Sequence, residues 1–197
     1  MNRALLTFAA AALLLSACAT PLVAPIEDFP RAPVSPALPR GVVETIAITS
    51  CSNEVEGRNL TVFDQVRAAK PDLLLMLGDN VYGSWSPDDP ALPDLRRSYD
   101  QQSKRPEFKA LVSSVPLLSV WDDHDFGKND GGGDFAHKAL AQRMFADFWR
   151  LPASDERRNR EGIYTARMFG PPGKRLQIIV LDTRYFRSPL TLTDERD

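Results

Sequence analysis

The sequence predicts a mixed α/β fold, of the α/β or α+β class, for a chain of 197 residues. Short apolar runs of strand length alternate with stretches whose apolar residues recur at helical spacing. Polar clusters directly follow several of the apolar runs. The composition, 43% hydrophobic and 25% charged, is that of a globular domain with a core. The net charge of -2 excludes the basic field of proteins that wrap nucleic acid, so we expect no obligate nucleic-acid partner. No protein partner is indicated either.

The N-terminus has the order of a bacterial lipoprotein signal. Arg3 precedes an apolar stretch over residues 4–15, which is short for a membrane span, and small residues then precede Cys18. This pattern predicts a signal peptide over residues 1–18 and a lipid anchor on Cys18 that holds the protein to a membrane. Because the next residue is not aspartate, we expect the cell envelope, at the periplasmic face of the outer membrane. A plain signal peptide or an uncleaved anchor is the alternative.

Residues 19–40 contain six prolines, which remove backbone donors at regular intervals and favour an extended chain. We expect a tether between the lipid and a domain over residues 41–197. The chain has two cysteines. If Cys18 carries a lipid, Cys51 has no partner for a disulfide within the chain, and metal ligation would explain this lone thiol.

The elements of the domain follow in order from their local patterns. The run over residues 42–49 is apolar and β-branched, which predicts a strand. The continuous apolar run over residues 72–77 is typical of a strand that is buried on both faces. Pro106 predicts a break in an otherwise helical stretch. The expected order is strand 42–49, helix 60–69, strand 72–77, broken helix 96–112, strand 116–120, helix 135–150, and a hairpin of strands 163–169 and 176–181.

Polar side chains stand directly after the predicted strands: Cys51, Asp79, the cluster over residues 122–125, and Asp182. Ligands of open α/β sheets gather outside the carboxyl ends of the strands, so these side chains are expected to converge. The two oxygens of Asp79 can bridge two cations, as in phosphate-ester hydrolysis.

The donor types around Asp79 predict a mixed metal site. Thiolate from Cys51 and phenolate from Tyr82 suit ferric iron, because anionic donors stabilise its charge. The oxygen-rich run over residues 122–130, which includes Asn129, favours calcium or magnesium.

These residues resemble a known family, the alkaline phosphatase D (PhoD-like) branch of the calcineurin-like metallophosphoesterases. The resemblance covers most of residues 43–187. The matching segments are Thr49-Ser50-Cys51-Ser52, Leu77-Gly78-Asp79-Asn80-Val81-Tyr82, Trp121-Asp122-Asp123-His124-Asp125 with Asn129-Asp130, and Leu181-Asp182-Thr183-Arg184.

The resemblance implies an α-β-β-α sandwich of the metallophosphoesterase type, which we expect to be incomplete at the C-terminus. The family's later segments, including a Gly-Asp-x-His motif that supplies metal ligands, have no counterpart before Asp197. The resemblance also implies iron and calcium as cofactors. The residues that match its metal-binding positions, or that we add as oxygen donors, are Cys51, Asp79, Tyr82, Asp123 and Asn129.

The resemblance assigns roles in catalysis as well. His124, with Asp123 beside it, is the expected catalytic residue, since an imidazole can stabilise developing charge or deliver a proton. Arg184 and Arg187 are candidates for a phosphate clamp, and Asn80 for a further substrate contact. Arg184 is alternatively a structural partner of Asp182.

Simpler interpretations stay open for several of these residues. Cys51 can be a small buried side chain, and Asp79 can cap a turn. The run over residues 122–130 can be a solvated acidic loop or a lone calcium loop. Arg157 or Arg158 reaches the substrate in one interpretation and belongs to a solvated face in the other.

The predicted function is metal-dependent hydrolysis of phosphomonoesters or phosphodiesters by metal-activated water. The substrate is then a small-molecule or polymeric phosphate ester. The alternative is a non-catalytic or truncated envelope lipoprotein that binds metal or phosphate. A metal-dependent esterase with non-phosphate substrates is a third hypothesis.

Overall fold

The computed structural model describes residues 25–55 and 60–191. The predicted signal peptide and the lipidation site at Cys18 lie outside the described residues. Helices, a parallel sheet and an antiparallel sheet confirm the mixed α/β class. The elements are β1 Ile46–Thr49, α1 Val62–Ala68, β2 Leu73–Leu77, α2 Pro93–Lys104, α3 Pro106–Val112, β3 Leu117–Val120, α4 Asp123–Phe126, α5 Lys138–Phe148, a 3₁₀ turn Glu156–Arg158, β4 Thr165–Phe169 and β5 Leu176–Val180.

Strands β1, β2 and β3 form a parallel sheet with β2 in the centre. Their carboxyl ends are in register, because Thr49 pairs with Met76 and Leu77 pairs with Val120. Backbone pairing continues past the strands, where the amide of Cys51 donates to the carbonyl of Gly78. The loops that follow the three strands are therefore held side by side.

The helices α1, α2, α3 and α5 pack together with a shared apolar core. Phe148 of α5 stacks against Phe108 of α3 and lies 4.4 Å from Tyr99 of α2, measured between ring centroids. Leu74 and Met76 of the central strand are also buried. The break predicted at Pro106 is confirmed, since it separates α2 from α3.

The predicted hairpin is confirmed as an antiparallel sheet of β4 and β5. An apolar cleft of about 240 Å³ lies between the ends of β2 and β3 and the strand β5. Several apolar side chains on this side of the molecule are exposed, including Ile48, Leu77, Ile179 and Leu181. The described residues thus supply one helical layer and two sheets of the expected sandwich.

The described part of the proline-rich segment, residues 25–40, turns at Asp28, whose φ is +52°, and is packed against the domain. Phe29 is buried edge-on against Tyr99 of α2. The amide of Ala32 donates to the carbonyl of Phe148, and the amide of Ile26 donates to the carboxylate of Asp147. The described part of the expected tether therefore lies on the domain, because apolar side chains among the prolines reach the helical core.

Several predicted elements were longer than the observed ones, and two of these differences have a local explanation. Strand β1 begins at Ile46 because the amides of Glu44 and Thr45 donate to the carboxylate of Asp72 instead of a neighbouring strand. Helix α5 begins at Lys138 because Phe135 packs against Phe126 from the preceding loop. No helix among the described residues is long and apolar enough to cross a membrane.

Candidate metal centre

Three side chains that follow neighbouring strands meet at one edge of the parallel sheet. Asp79 follows β2, and Asp123 and His124 open the short helix α4 after β3. One ligand atom of each residue lies within 4.8 Å of the ligand atoms of the other two. We call these three residues the Asp79 cluster. The sequence-based expectation that strand ends bring them together is confirmed.

Gly78 allows this close approach of the two loops. Its φ is +103°, and a Cβ at this position would lie 2.6 Å from the Cβ and from the amide nitrogen of Asp122. Such distances are sterically impossible, so a side chain here would push the loops apart. Asp79 itself has a left-handed φ of 49°, which turns the chain away from the sheet.

The electrostatic state of Asp79 fits a bound cation. Its Oδ1 is buried without a hydrogen-bond partner. Burial raises the pKa of Asp79, and the negative charge of Asp123 raises it further. The charge of His124 and, to a smaller extent, its backbone amide lower the pKa of Asp79 and offset this in part. A cation between the carboxylates would satisfy the free oxygen and stabilise both charges, so the residues present fit a metal ion.

Cys51 and Tyr82 lie at the border of the cluster. The Sγ of Cys51 is 3.9 Å from Oδ2 of Asp79, and the thiol is exposed, which excludes the interpretation of Cys51 as a buried apolar residue. Partial burial raises the pKa of the Tyr82 phenol, as do the charges of Asp79 and Cys51 and hydrogen bonds with both. A thiolate and a phenolate at this border would both require a cation to stabilise them.

The imidazole of His124 is held by two neighbours on the loop after β2. Its Nδ1 lies 2.6 Å from the hydroxyl oxygen of Ser84, and its ring packs against that of Tyr82 with centroids 4.3 Å apart. Glu54 supports this loop, because its buried carboxylate accepts from the amide of Tyr82 at 3.0 Å. Burial raises the pKa of Glu54. Sequence reasoning missed Ser84 and Glu54.

Asn80 lies beneath the cluster and is completely buried. Its amide side chain donates to the carbonyl of Val120 at 2.8 Å and to the carboxylate of Asp125 at 3.0 Å. Burial raises the pKa of Asp125 to about 8. These bonds tie the end of β2 to the end of β3. The hypothesis that Asn80 contacts substrate is therefore corrected to a structural role, because both of its amide hydrogens are used internally.

Arg184 lies beside the Asp79 cluster. Its Nε donates to Asp122 at 2.6 Å, and one terminal nitrogen is 3.9 Å from the carboxylate of Asp123. Asp182 accepts instead from the backbone amide of Arg184 and from the indole of Trp121. The guanidinium of Arg184 is thus directed to the cluster side and is not paired with Asp182.

Asn129 and Arg187 both contact Asp130, whose amide donates to the carboxylate of Asp123 at 2.8 Å. The amide of exposed Asn129 donates to the carboxylate of Asp130, and the guanidinium of Arg187 donates to the carbonyl of Asp130. Among the described contacts none joins either residue directly to the Asp79 cluster. Both residues are thus linked to the cluster through Asp130, and their predicted roles as metal ligand and phosphate clamp stay predictions.

Arg157 and Arg158 are buried in ion pairs with Asp155 and Asp147, respectively. Neither interpretation of this basic run, as substrate contact or as solvated face, describes these two side chains.

Comparison with known proteins agrees with the geometry. The model of the family described as PhoD-like phosphatase matches residues 46–197. No curated protein matches the chain. A solved structure of PhoD matches with a TM-score of 0.58 and 21% sequence identity, over 79% of this chain and 34% of that one. The chain therefore spans about a third of the length of that protein, and the likeness supports the fold. Because the family model covers well over half of the sequence, the chain belongs to the PhoD-like phosphatase family.

Proposed function

We propose that this protein hydrolyses phosphomonoesters or phosphodiesters with metal ions bound at the Asp79 cluster. Membership of a phosphatase family supports the reaction class. The observation that carries the proposal is the buried, unpartnered Oδ1 of Asp79, within reach of the ligand atoms of Asp123 and His124. A cation bound here would satisfy this oxygen, and phosphate-ester hydrolysis is a reaction that such cations catalyse.

Asp79 and Asp123 would hold the metal ions, with the thiol of Cys51 and the phenol of Tyr82 at the border of the same cluster. We propose iron and calcium, since thiolate and phenolate suit ferric iron and carboxylates suit calcium. When bound, such ions polarise a phosphoryl oxygen and lower the pKa of water, so that hydroxide can attack phosphorus in line.

The chain's own residues have distinct tasks in this proposal. His124 donates a hydrogen bond to a phosphoryl oxygen or a proton to the leaving oxygen, since its ring lies at the cluster. Arg184 places a positive charge 3.9 Å from Asp123 and is the arginine best placed to contact a phosphate oxygen. Asp122 orients Arg184 through the 2.6 Å hydrogen bond.

The location is a proposal that depends on the N-terminal sequence alone. Cleavage before Cys18 and lipid attachment to its thiol would leave the domain on the periplasmic face of the outer membrane. Metabolic labelling with a radioactive fatty acid tests this, and a Cys18→Ser variant that still incorporates the label would contradict it.

The activity test uses the full chain, supplied with iron and calcium, and an aryl phosphate monoester or diester as substrate. Asp79→Asn removes the charge with little change of shape. We expect a loss of hydrolysis greater than about 100-fold, because losing even an outer contact to a metal ligand costs 10- to 100-fold. Metal content, measured by atomic emission, should fall in parallel.

Asp64→Asn is the matched control, because Asp64 makes an exposed ion pair with Arg67 on α1. It should leave both activity and metal content unchanged. A wild-type chain that binds metal but does not hydrolyse either ester contradicts the proposal, as does full activity in Asp79→Asn.

A further inference from the structure

Ser84 makes a hydrogen bond to the imidazole of His124. The Ser84 hydroxyl oxygen lies 2.6 Å from Nδ1 of His124, and Ser84 is 6% exposed. Neither its spacing from Tyr82 nor its residue type marked it in the sequence.

The ring of His124 is held in place independently of this bond. Its ring packs on that of Tyr82 at 4.3 Å between centroids. Tyr82 is held in turn by Glu54, whose carboxylate accepts from its amide. With the ring fixed, the remaining freedom is the position of the imidazole proton.

Either partner of the Ser84–His124 bond can be the donor. If Nδ1–H donated, the nearly buried hydroxyl would need a second acceptor for its own hydrogen. Among the described contacts, the bond to Nδ1 is the one that the Ser84 side chain makes. A donating hydroxyl leaves no unpaired hydrogen, and the proton of the neutral imidazole then resides on Nε2.

We infer that Ser84 is a positioning residue, whose hydroxyl donates to Nδ1 of His124 and holds the imidazole as the Nε2–H tautomer. In this form His124 is a hydrogen-bond donor to phosphate or leaving group and not a metal ligand, because a protonated nitrogen has no lone pair for a metal. The catalytic meaning of this inference depends on the proposed phosphoesterase function, but the tautomer itself does not.

Nuclear magnetic resonance tests the tautomer directly. The chain has two histidines, so a long-range proton–nitrogen correlation spectrum of the isotope-labelled full chain contains two ring patterns. A His137→Gln variant assigns them. The spectrum is recorded without paramagnetic metal at about pH 9, where an ordinary imidazole is neutral. We expect His124 to be protonated at Nε2 in the wild type.

Ser84→Ala should move His124 toward a mixture of both tautomers, and Ser84→Thr, which keeps the hydroxyl, should restore the Nε2–H form. Ser86→Ala is the control, since Ser86 lies on the same loop and makes its contact through its backbone carbonyl. It should leave the His124 pattern unchanged. An Nδ1–H pattern in the wild type overturns the inference, and so does an unchanged pattern in Ser84→Ala. The wild-type spectrum decides even if Ser84→Ala does not fold.

Hydrolysis of the aryl phosphate gives a second measurement. Removing one hydrogen bond of ordinary strength should lower kcat by about fivefold, with little change in KM, because substrate binding does not use Ser84. If no variant hydrolyses either ester, the proposed function fails while the tautomer result still stands. If the enzyme is active and kcat is equal in Ser84→Ala and Ser86→Ala, the positioning role is wrong.

Discussion

Removal of one partner from the buried ion pair between Arg158 and Asp147 should be strongly destabilising, because it leaves a buried charge unpaired. Arg158 donates to Asp147 at 2.6 Å and to the carbonyls of Leu151 and Ala146 at 2.7 and 2.9 Å, and the two side chains are 4% and 1% exposed. Asp147 also accepts from the amide of Ile26. Arg158→Met removes all three donors and leaves a buried carboxylate without its cation. Such a loss costs about 3–5 kcal/mol of the free energy of unfolding.

Urea unfolding of the full chain, followed by tryptophan fluorescence, measures this loss. Lys104→Met is the control, because Lys104 pairs with Asp100 on the surface of α2 with side chains 69% and 45% exposed. It should cost less than about 0.5 kcal/mol. Arg158→Met combined with Asp147→Leu removes both charges and should recover much of the loss. If Arg158→Met costs no more than Lys104→Met, the reasoning on this pair is refuted.

Two further predictions concern the loop geometry and the pH dependence. Gly78→Ala should abolish metal binding and lower the free energy of unfolding by about 2 kcal/mol or more, since its Cβ would lie 2.6 Å from Asp122. Gly41→Ala is the control, because a Cβ there would lie in open space, and it should change neither property. Calorimetric metal titration and urea unfolding measure the two effects. Burial acts to raise the pKa of Asp155, but hydrogen bonds and the charge of Arg157 outweigh it and hold the pKa below its ordinary value. That contribution is present above about pH 4 and is lost as pH falls through the lower folded pKa. The stability difference between wild type and Asp155→Asn should therefore shrink on acidification from about pH 6 to about pH 3, and a constant difference in urea unfolding would contradict this.

The strand ends and their polar residues could be predicted from the sequence for a physical reason. A continuous apolar run bounded by polar residues is typical of a buried strand, and β2 has its expected position within one residue. Parallel strands must end at the same sheet edge, which brings Asp79 next to Asp123 without any knowledge of the loops. The ends of the apolar runs therefore identified the members of the cluster that follow β2 and β3.

The supporting residues could not be predicted in this way. Ser84 and Glu54 lie in loops, where no periodicity constrains the direction of a side chain, and their contacts join segments 40 and 28 residues apart. Asn80 stands between Asp79 and Tyr82 in a matching motif, yet it turns inward to the carbonyl of Val120. The packing of Phe29 on Tyr99 could not be predicted from the sequence either, because the prolines around Phe29 indicate only that the chain is extended.

The acidic residues after β3 have different roles, which follow from their positions in helix α4. Asp122 is the N-cap of α4 and Asp125 is its N3 residue, and each side chain accepts from the other's backbone amide. This reciprocal capping uses both carboxylates for folding, and Asp125 becomes completely buried. Asp123 and His124, the two positions between them, take no part in this exchange of bonds and remain available to the cluster. A run of three aspartates in four residues thus supplies one metal-site carboxylate because the other two build the helix that presents it.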